Sequence, residues 1–293
     1  MITLSNGHSF EYMVASGALG FFGEGWPWDK PFIWLDQLKP ALFTIVAKTV
    51  TYLPRKGNLR WYWPFGCIKF LKGGTLNAVG LRNKGYAWWL RKFRQGKGSK
   101  LSLIASIFSE ADDAPLELAC MAFLFNQLSI VGIEINAFCP NTPGGVFKNT
   151  KRIIRSCEEV KKVTHYPLLL KLSVVHDIDE ILPNIKGIIQ GISINSVPWR
   201  VIFPNRRSPL EQFGGGGVSG KIAQPFTWGF VKQLVDKTDI PVIGPSVWDF
   251  SDIERLRNIG AKAISFGSIF LRYPWRPTAF VKKDMRKNQA LEI

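Results

Sequence analysis

A chain of 293 residues that is 46% hydrophobic has enough apolar material for one large core, which excludes a disordered chain. The formal charge of +16 would draw in anionic substrates or acidic partners, but the basic residues are dispersed, and the densest run, Arg91 to Lys100, reads as a solvated loop. Four scattered cysteines with no C-x-x-C pair, and three histidines without ligand spacing, disfavour a disulfide framework, a metal site or an iron–sulfur cluster, and suit a reducing cytoplasm.

Short β-rich runs recur along the chain with room for a helix between them. After a short N-terminal lead-in come Leu42–Val50, Thr75–Leu81 and Leu101–Phe108, then a helix over Asp113–Leu128. Gly132–Phe138 precedes a helix over Val146–Val163, and Pro167–Val174 and Gly187–Ser196 follow. A helix over Gln224–Lys237 leads to Ile240–Gly244. The next helix, Ser251–Ile259, has Asp249 or Ser251 as its cap and Gly260 as its stop, and Ala263–Phe270 closes the series. Eight strand runs alternating with helices predict an α/β fold, a (β/α)8 TIM barrel. No repeat or linker divides residues 1–293, so one domain with a basic C-terminal tail is expected. The longest uncharged run, Ala119 to Ile133, contains Asn126 and Gln127 and falls short of the ~20 residues of a membrane span.

A barrel carries its active groups at the C-terminal ends of its strands. The polar residues follow that rule. Lys48 ends the first run, Asn77 lies in the second, Asn136 and Cys139 follow the fourth, Lys171 lies in the fifth, and Asn195 with Ser196 ends the sixth. A lysine inside Leu168-Leu169-Leu170-Lys171-Leu172 needs an anionic or acceptor partner if buried. Cys139 stands between Asn136 and Asn141 on a Pro- and Gly-containing loop, so a thiol able to lose a proton is flanked by amides able to read a polar heterocycle. Cys67, Cys120 and Cys157 read as inert thiols, and most of the tryptophans as core or interface. Gly214 to Gly217, followed by Val218, Ser219 and Gly220, would let backbone N–H groups approach a phosphate.

These residues resemble the dihydroorotate dehydrogenase family over about Phe10 to Pro274. The resemblance is carried by Ala15-Ser16-Gly17, by Lys48-Thr49, and by Pro54-Arg55-Lys56-Gly57-Asn58. It continues in Asn77-Ala78-Val79-Gly80-Leu81 with Asn83 and Gly85, and in Asn136 to Gly145. Lys171, Ile194-Asn195-Ser196 and Gly216 to Gly220 complete it in the same order. Cysteine at position 139 is similar to the soluble, cysteine-type class.

The resemblance implies an FMN enzyme that oxidises dihydroorotate to orotate in pyrimidine biosynthesis, with Cys139 as base and the hydride passed to flavin. It implies that Lys48, Asn77, Val79, Gly80, Leu81, Asn136, Asn141, Asn195 and Ser196 hold the substrate. Cofactor contacts are implied for Ala15, Ser16, Gly17, Lys48, Thr49, Asn136, Lys171, Ile194 and Gly220, then Gly244, Ser246, Val247, Gly267 and Ser268. Lys171 would stand beside the flavin pyrimidine ring, and Lys48 would reach flavin and substrate carboxylate. After the seventh run the chain reads Gly244-Pro245-Ser246-Val247 where the family carries a Gly-Gly turn; Pro245 lacks an N–H, and Ser246 offers a hydroxyl instead. A homodimer is expected, with fumarate used alone, NAD reached through an electron-transfer subunit, or quinone as the acceptor, and with no membrane and no nucleic acid partner. The competing readings are a tRNA dihydrouridine synthase-like flavoenzyme and a degenerate, non-catalytic barrel that binds acidic partners.

Overall fold

The computed structural model describes residues 1–60, 66–98, 100–137 and 149–291. Strands β1 (Ile2–Thr3) and β2 (Ser9–Phe10) precede β3 (Tyr12–Val14), α1 (Lys30–Trp34) and β4 (Thr44–Val46). Next come β5 (Ile68–Leu71), β6 (Gly74–Asn77), α2 (Tyr86–Arg94), β7 (Leu103–Ile107), α3 (Ala114–Phe125) and β8 (Gly132–Asn136). The middle of the chain holds α4 (Thr150–Val163), β9 (Leu168–Leu172), α5 (Ile178–Ile185), β10 (Ile189–Ile194), β11 (Val197–Pro198) and α6 (Trp199–Ile202). It ends with β12 (Gly217–Gly220), α7 (Gln224–Lys237), β13 (Ile243–Gly244), α8 (Ser251–Ile259), β14 (Ala263–Phe266), α9 (Ile269–Arg272) and α10 (Arg276–Leu291).

Eight parallel strands lie in the order β10-β9-β8-β7-β4-β3-β14-β13. Ile192 bridges to Val242 and its N–H donates to Pro241 O at 2.9 Å, which joins β10 to the segment entering β13 and closes the barrel. Strand order around the barrel is chain order, as a (β/α)8 fold requires. Two of the strand assignments differ from the sequence-based expectation. Tyr12–Val14 is the first barrel strand, so the lead-in before the barrel is about ten residues, not forty. Thr75–Leu81 does not enter the barrel: β6 lies in a separate antiparallel sheet of order β11-β12-β6-β5. Its neighbours explain why. Gly74 passes so close to β12 that a Cβ there would sit 2.3 Å from Ser219 O, a crossing only glycine permits.

The period-two alternation of each strand sorts its residues between two cores. Tyr12, Ile45, Leu103, Leu168, Val242 and Ile264 face the helices. Met13, Val46, Ile104, Leu169, Ile243 and Ala263 form a separate cluster that the hairpin residues Ile2, Leu4 and Phe10 plug. Gly132 and Gly191 complete that inner layer, since a Cβ on either would touch Leu169. Truncating Ile104, which is wholly buried, would cost about 2–5 kcal/mol because neither side can collapse.

Two helix details also depart from expectation. Arg91, Lys92 and Arg94 belong to α2, whose Trp89, Leu90 and Phe93 are buried, so the basic run begins as a helix. Neither Asp249 nor Ser251 caps α8. Asp252, in its first turn, accepts from the N–H groups of Trp248 at 2.9 Å and Asp249 at 2.8 Å. Gly260 does end that helix, at φ +108, and a Cβ there would meet Val235 Cγ1 at 2.6 Å. The basic C-terminal segment forms α10 and buries Thr278, Val281 and Asp284. Among the described residues no helix is long and apolar enough to cross a membrane.

Candidate active site

Two residues beyond the inner apolar layer, most of the same strand faces turn polar. The inward positions become Ala15, Lys48, Ser106, Glu134, Lys171, Ser193, Pro245 and Ser265. Above them opens a cavity of about 270 Å³, near the lower end of ordinary small-molecule sites (~300–1,000 Å³). The antiparallel sheet covers it, contributing Ile68, Thr75, Asn77, Ser219 and Gly220, and Trp26 and Trp28 form one flank.

The cavity gathers most of the residues singled out in the sequence. Lys48, Asn77, Val79, Gly80, Leu81, Asn136, Asn195 and Ser196 line it. So do Ala15, Ser16, Gly17, Thr49, Lys171, Ile194, Gly220, Ser246, Val247, Gly267 and Ser268. Gly244 does not: it lies buried in β13, where a Cβ would meet Leu256 Cδ2 at 2.8 Å. Cys139 and Asn141 lie outside the described residues.

Local structure explains several of the other motif residues. Gly57, at φ +52, brings its backbone against Val79 O, and Asn58 Nδ2 donates to Ala78 O at 2.8 Å. Arg55 Nε donates to Gly80 O at 3.1 Å, so the Arg55–Asn58 loop holds the Asn77–Leu81 segment from outside the cavity. Asn83 likewise serves the backbone, accepting from Gly85 N at 2.7 Å. The glycines before Ser219 support strand crossing: a Cβ on Gly216 would lie 2.9 Å from Asn77 O.

Sequence reasoning missed the carboxylate beneath the site. Glu134 is 1% exposed and accepts from Lys171 Nζ at 2.8 Å, Ser106 Oγ at 2.9 Å and Ser193 Oγ at 2.8 Å. That is the anionic partner a buried Lys171 needs. The signal was present, since Glu134 and Asn136 share a strand face at spacing two and Ser106 is the cross-strand partner of Glu134. Thr49 Oγ1 lies 2.8 Å from Ser106 Oγ and 2.9 Å from Ser16 Oγ, and Asn136 Nδ2 donates to it at 3.3 Å.

Among the described residues, burial shifts several other titratable groups. Burial pushes the Cys157 thiol up to about 12 and also raises that of Cys67. Burial lowers His176 to about 4, which keeps it neutral. Trp26 Nε1 donates to Gly17 O at 2.9 Å and its ring stacks on Trp28 at 5.6 Å. Asp29, wholly buried, accepts from Trp26 N at 2.8 Å and fixes that loop; burial raises its carboxyl to about 6.

The departure after β13 is visible as strain. Ser246 adopts φ +66, a conformation usually left to glycine, and its carbonyl accepts from Gln224 Nε2 at 2.9 Å. Its hydroxyl lies 3.2 Å from Thr227 Oγ1 and beside the cavity, while Pro245 O accepts from Trp228 Nε1 at 3.0 Å.

Comparison with known proteins bears on the family of the chain. The family model described as dihydroorotate dehydrogenase matches residues 10–270. A protein of Thermoanaerobacter sp. (strain X514), named dihydroorotate dehydrogenase B (NAD(+)), catalytic subunit, is 31% identical over 267 residues, covering 87% of this chain and 82% of its own length. A protein of the same name from Desulforudis audaxviator is 31% identical over 270 residues, covering 89% and 83%. One from Listeria monocytogenes is 28% identical over 289 residues, covering 96% and 90%.

Proposed function

The chain belongs to the dihydroorotate dehydrogenase family, and we propose that it oxidises dihydroorotate to orotate with FMN seated in the barrel-mouth cavity. One observation carries the reading: Lys48, Asn77, Asn136, Lys171 and Asn195, drawn from four barrel strand ends and the covering sheet, converge on one cavity. The residues present fit FMN. Two ammonium groups suit an electron-rich ring and a carboxylate, and the hydroxyls of Ser219, Ser246 and Ser268 beside Gly267 suit a phosphate. When bound, FMN supplies the acceptor for the hydride that leaves ring carbon 6.

The chain supplies the proton chemistry and the geometry. The Cys139 thiolate takes the proton from ring carbon 5. Lys48 holds the substrate carboxylate. Asn77, Asn136, Asn141 and Asn195 read the alternating N–H and C=O groups of the ring, since each amide both donates and accepts. Lys171 would offer its cation to the cofactor ring, and the Ser246 hydroxyl would stand in for a backbone donor to the phosphate.

The names of the relatives support an electron-transfer partner that passes electrons on to NAD, in preference to fumarate reduction by this chain alone. Neither the dihydrouridine synthase-like reading nor the degenerate barrel is favoured by a specific observation. The test is anaerobic addition of dihydroorotate to protein reconstituted with FMN. Bleaching of the flavin absorbance with formation of orotate is expected, and a flavin that stays oxidised would refute the assignment.

A further inference from the structure

The polar layer under the cavity assigns a role to a residue that no motif supplied. We infer that Glu134 is a positioning residue of the oxidation, holding Lys171 in place as a cation and setting the amide of Asn136 through Ser106 and Thr49. This deepens the proposed function and rests on it.

The argument follows from counting donors. A carboxylate only accepts, so Ser106 donates its single proton to Glu134 Oε1 at 2.9 Å. Ser106 Oγ, 2.8 Å from Thr49 Oγ1, can then only accept, so the single Thr49 proton goes to it or to Ser16 Oγ at 2.9 Å. Thr49 Oγ1 has no proton left and accepts from Asn136 Nδ2 at 3.3 Å. The far end of this chain of hydroxyls therefore turns the nitrogen of Asn136 toward Thr49, placing Oδ1 on the other side. From the same carboxylate, Oε1 also receives Lys171 Nζ at 2.8 Å, and Oε2 receives Ser193 at 2.8 Å. One buried anion thus orders a cation on β9 and an amide on β8, both lining the cavity.

The charge of Glu134 matters as much as its shape. Among the described lining residues, Lys48 and Lys171 are the ionisable side chains, and the neutral His176 lies beyond the end of β9. Lys171, 8% exposed, is an ammonium taken largely out of water, and Glu134 is the anion that compensates it. Glu134→Gln isolates that effect. A glutamine oxygen can accept from Ser106 and Lys171, and its amide can donate to Ser193 Oγ, so every contact survives and one charge is lost.

Two measurements test this. The first follows the ε-carbon resonance of Lys171 against pH by NMR in protein without cofactor, assigned with Lys171→Arg. In Glu134→Gln the transition should move to lower pH than in wild type. The second follows the rate of flavin reduction by dihydroorotate after FMN is bound. In Glu134→Gln it should fall as pH rises, and Glu134→Asp should restore part of it. Ser106→Ala should leave that pH profile in place and weaken orotate binding about tenfold, the loss expected for a misoriented amide. A Lys171 transition unmoved by Glu134→Gln would overturn the inference even if the variant were less stable. Wild-type protein whose flavin dihydroorotate does not reduce would refute the proposed function instead, and the lysine titration would still decide the pairing.

Discussion

Asp284 on α10 offers a quantitative test of how the barrel is tied together. Its carboxylate, 3% exposed, receives Tyr12 OH at 2.5 Å and Arg257 Nη1 at 3.1 Å, with Arg257 Nη2 also on Oδ2. Arg257 Nη2 further contacts Glu11 Oε1 at 2.5 Å. The group joins α8, α10 and the start of β3, the strand that leads into Ala15–Gly17. Asp284→Ala removes the acceptor from Tyr12 and half the anionic surroundings of Arg257. Removing one partner of a buried pair costs about 3–5 kcal/mol. Arg257 keeps Glu11 and is partly hydrated, so the loss should lie near 3 kcal/mol, a fall in Tm of roughly 6–12 °C. Burial alone would raise the Asp284 carboxyl, but the hydrogen bonds from Arg257 and Tyr12 outweigh it and hold the group below the usual range. A carboxyl depressed in the folded state stabilises fully above the unfolded value of about 3.9, and the gain fades as pH drops through the folded value. Calorimetry of wild type and variant should therefore show a gap at neutral pH that closes in acid. A double-mutant cycle with Arg257→Met should give a coupling of about 2 kcal/mol. A loss under about 1 kcal/mol, or one independent of pH, would refute the reasoning.

Ser246→Ala should weaken FMN binding at least about tenfold by fluorescence titration, because a charge-assisted hydrogen bond carries about 1.5–3 kcal/mol; affinity within twofold of wild type would remove Ser246 from the phosphate site. Lys171→Met should leave orotate bound while slowing flavin reduction by about 100-fold or more, measured by stopped flow. Cys139→Ala should abolish proton abstraction near neutral pH while FMN remains bound, read as lost turnover with an unchanged flavin spectrum. Asp29, held near 6 by burial, binds its proton more tightly when folded, so it costs stability as pH rises from about 4 to 6. Asp29→Asn, which keeps an acceptor for Trp26 N, should be more stable than wild type at pH 7 by about 1 kcal/mol, with a smaller gap at pH 4 by urea titration.

Much of the fold was legible because burial on both faces leaves long apolar runs, as in Leu168–Leu172 and Gly132–Asn136. Such runs do not say which sheet a strand joins. Tyr12–Val14 is too short to show a period, and Thr75 to Leu81 has the composition of a barrel strand without being one. The deciding contact, Gly74 against Ser219, spans about 145 residues of chain and lies beyond local pattern. In the site, most of the described residues carried by ordered motifs line one cavity, whereas Glu134 was hidden by Asn136 two positions on. The cap of α8 was misread because Asp252 reaches backward from within the helix. Trp26 and Trp28 resembled ordinary core, and only the fold brings them to the cavity.

The roof over the cavity is stitched from two distant stretches of chain. β6 meets β12 in four backbone pairs, from Gly217 opposite Asn77 to Gly220 opposite Gly74. Lifting it would mean unzipping that ladder. Trp28 is both solvent-exposed and part of the cavity lining. Opening this roof would break paired backbone hydrogen bonds, whereas the Trp26–Trp28 stack on the flank of the cavity presents side chains alone.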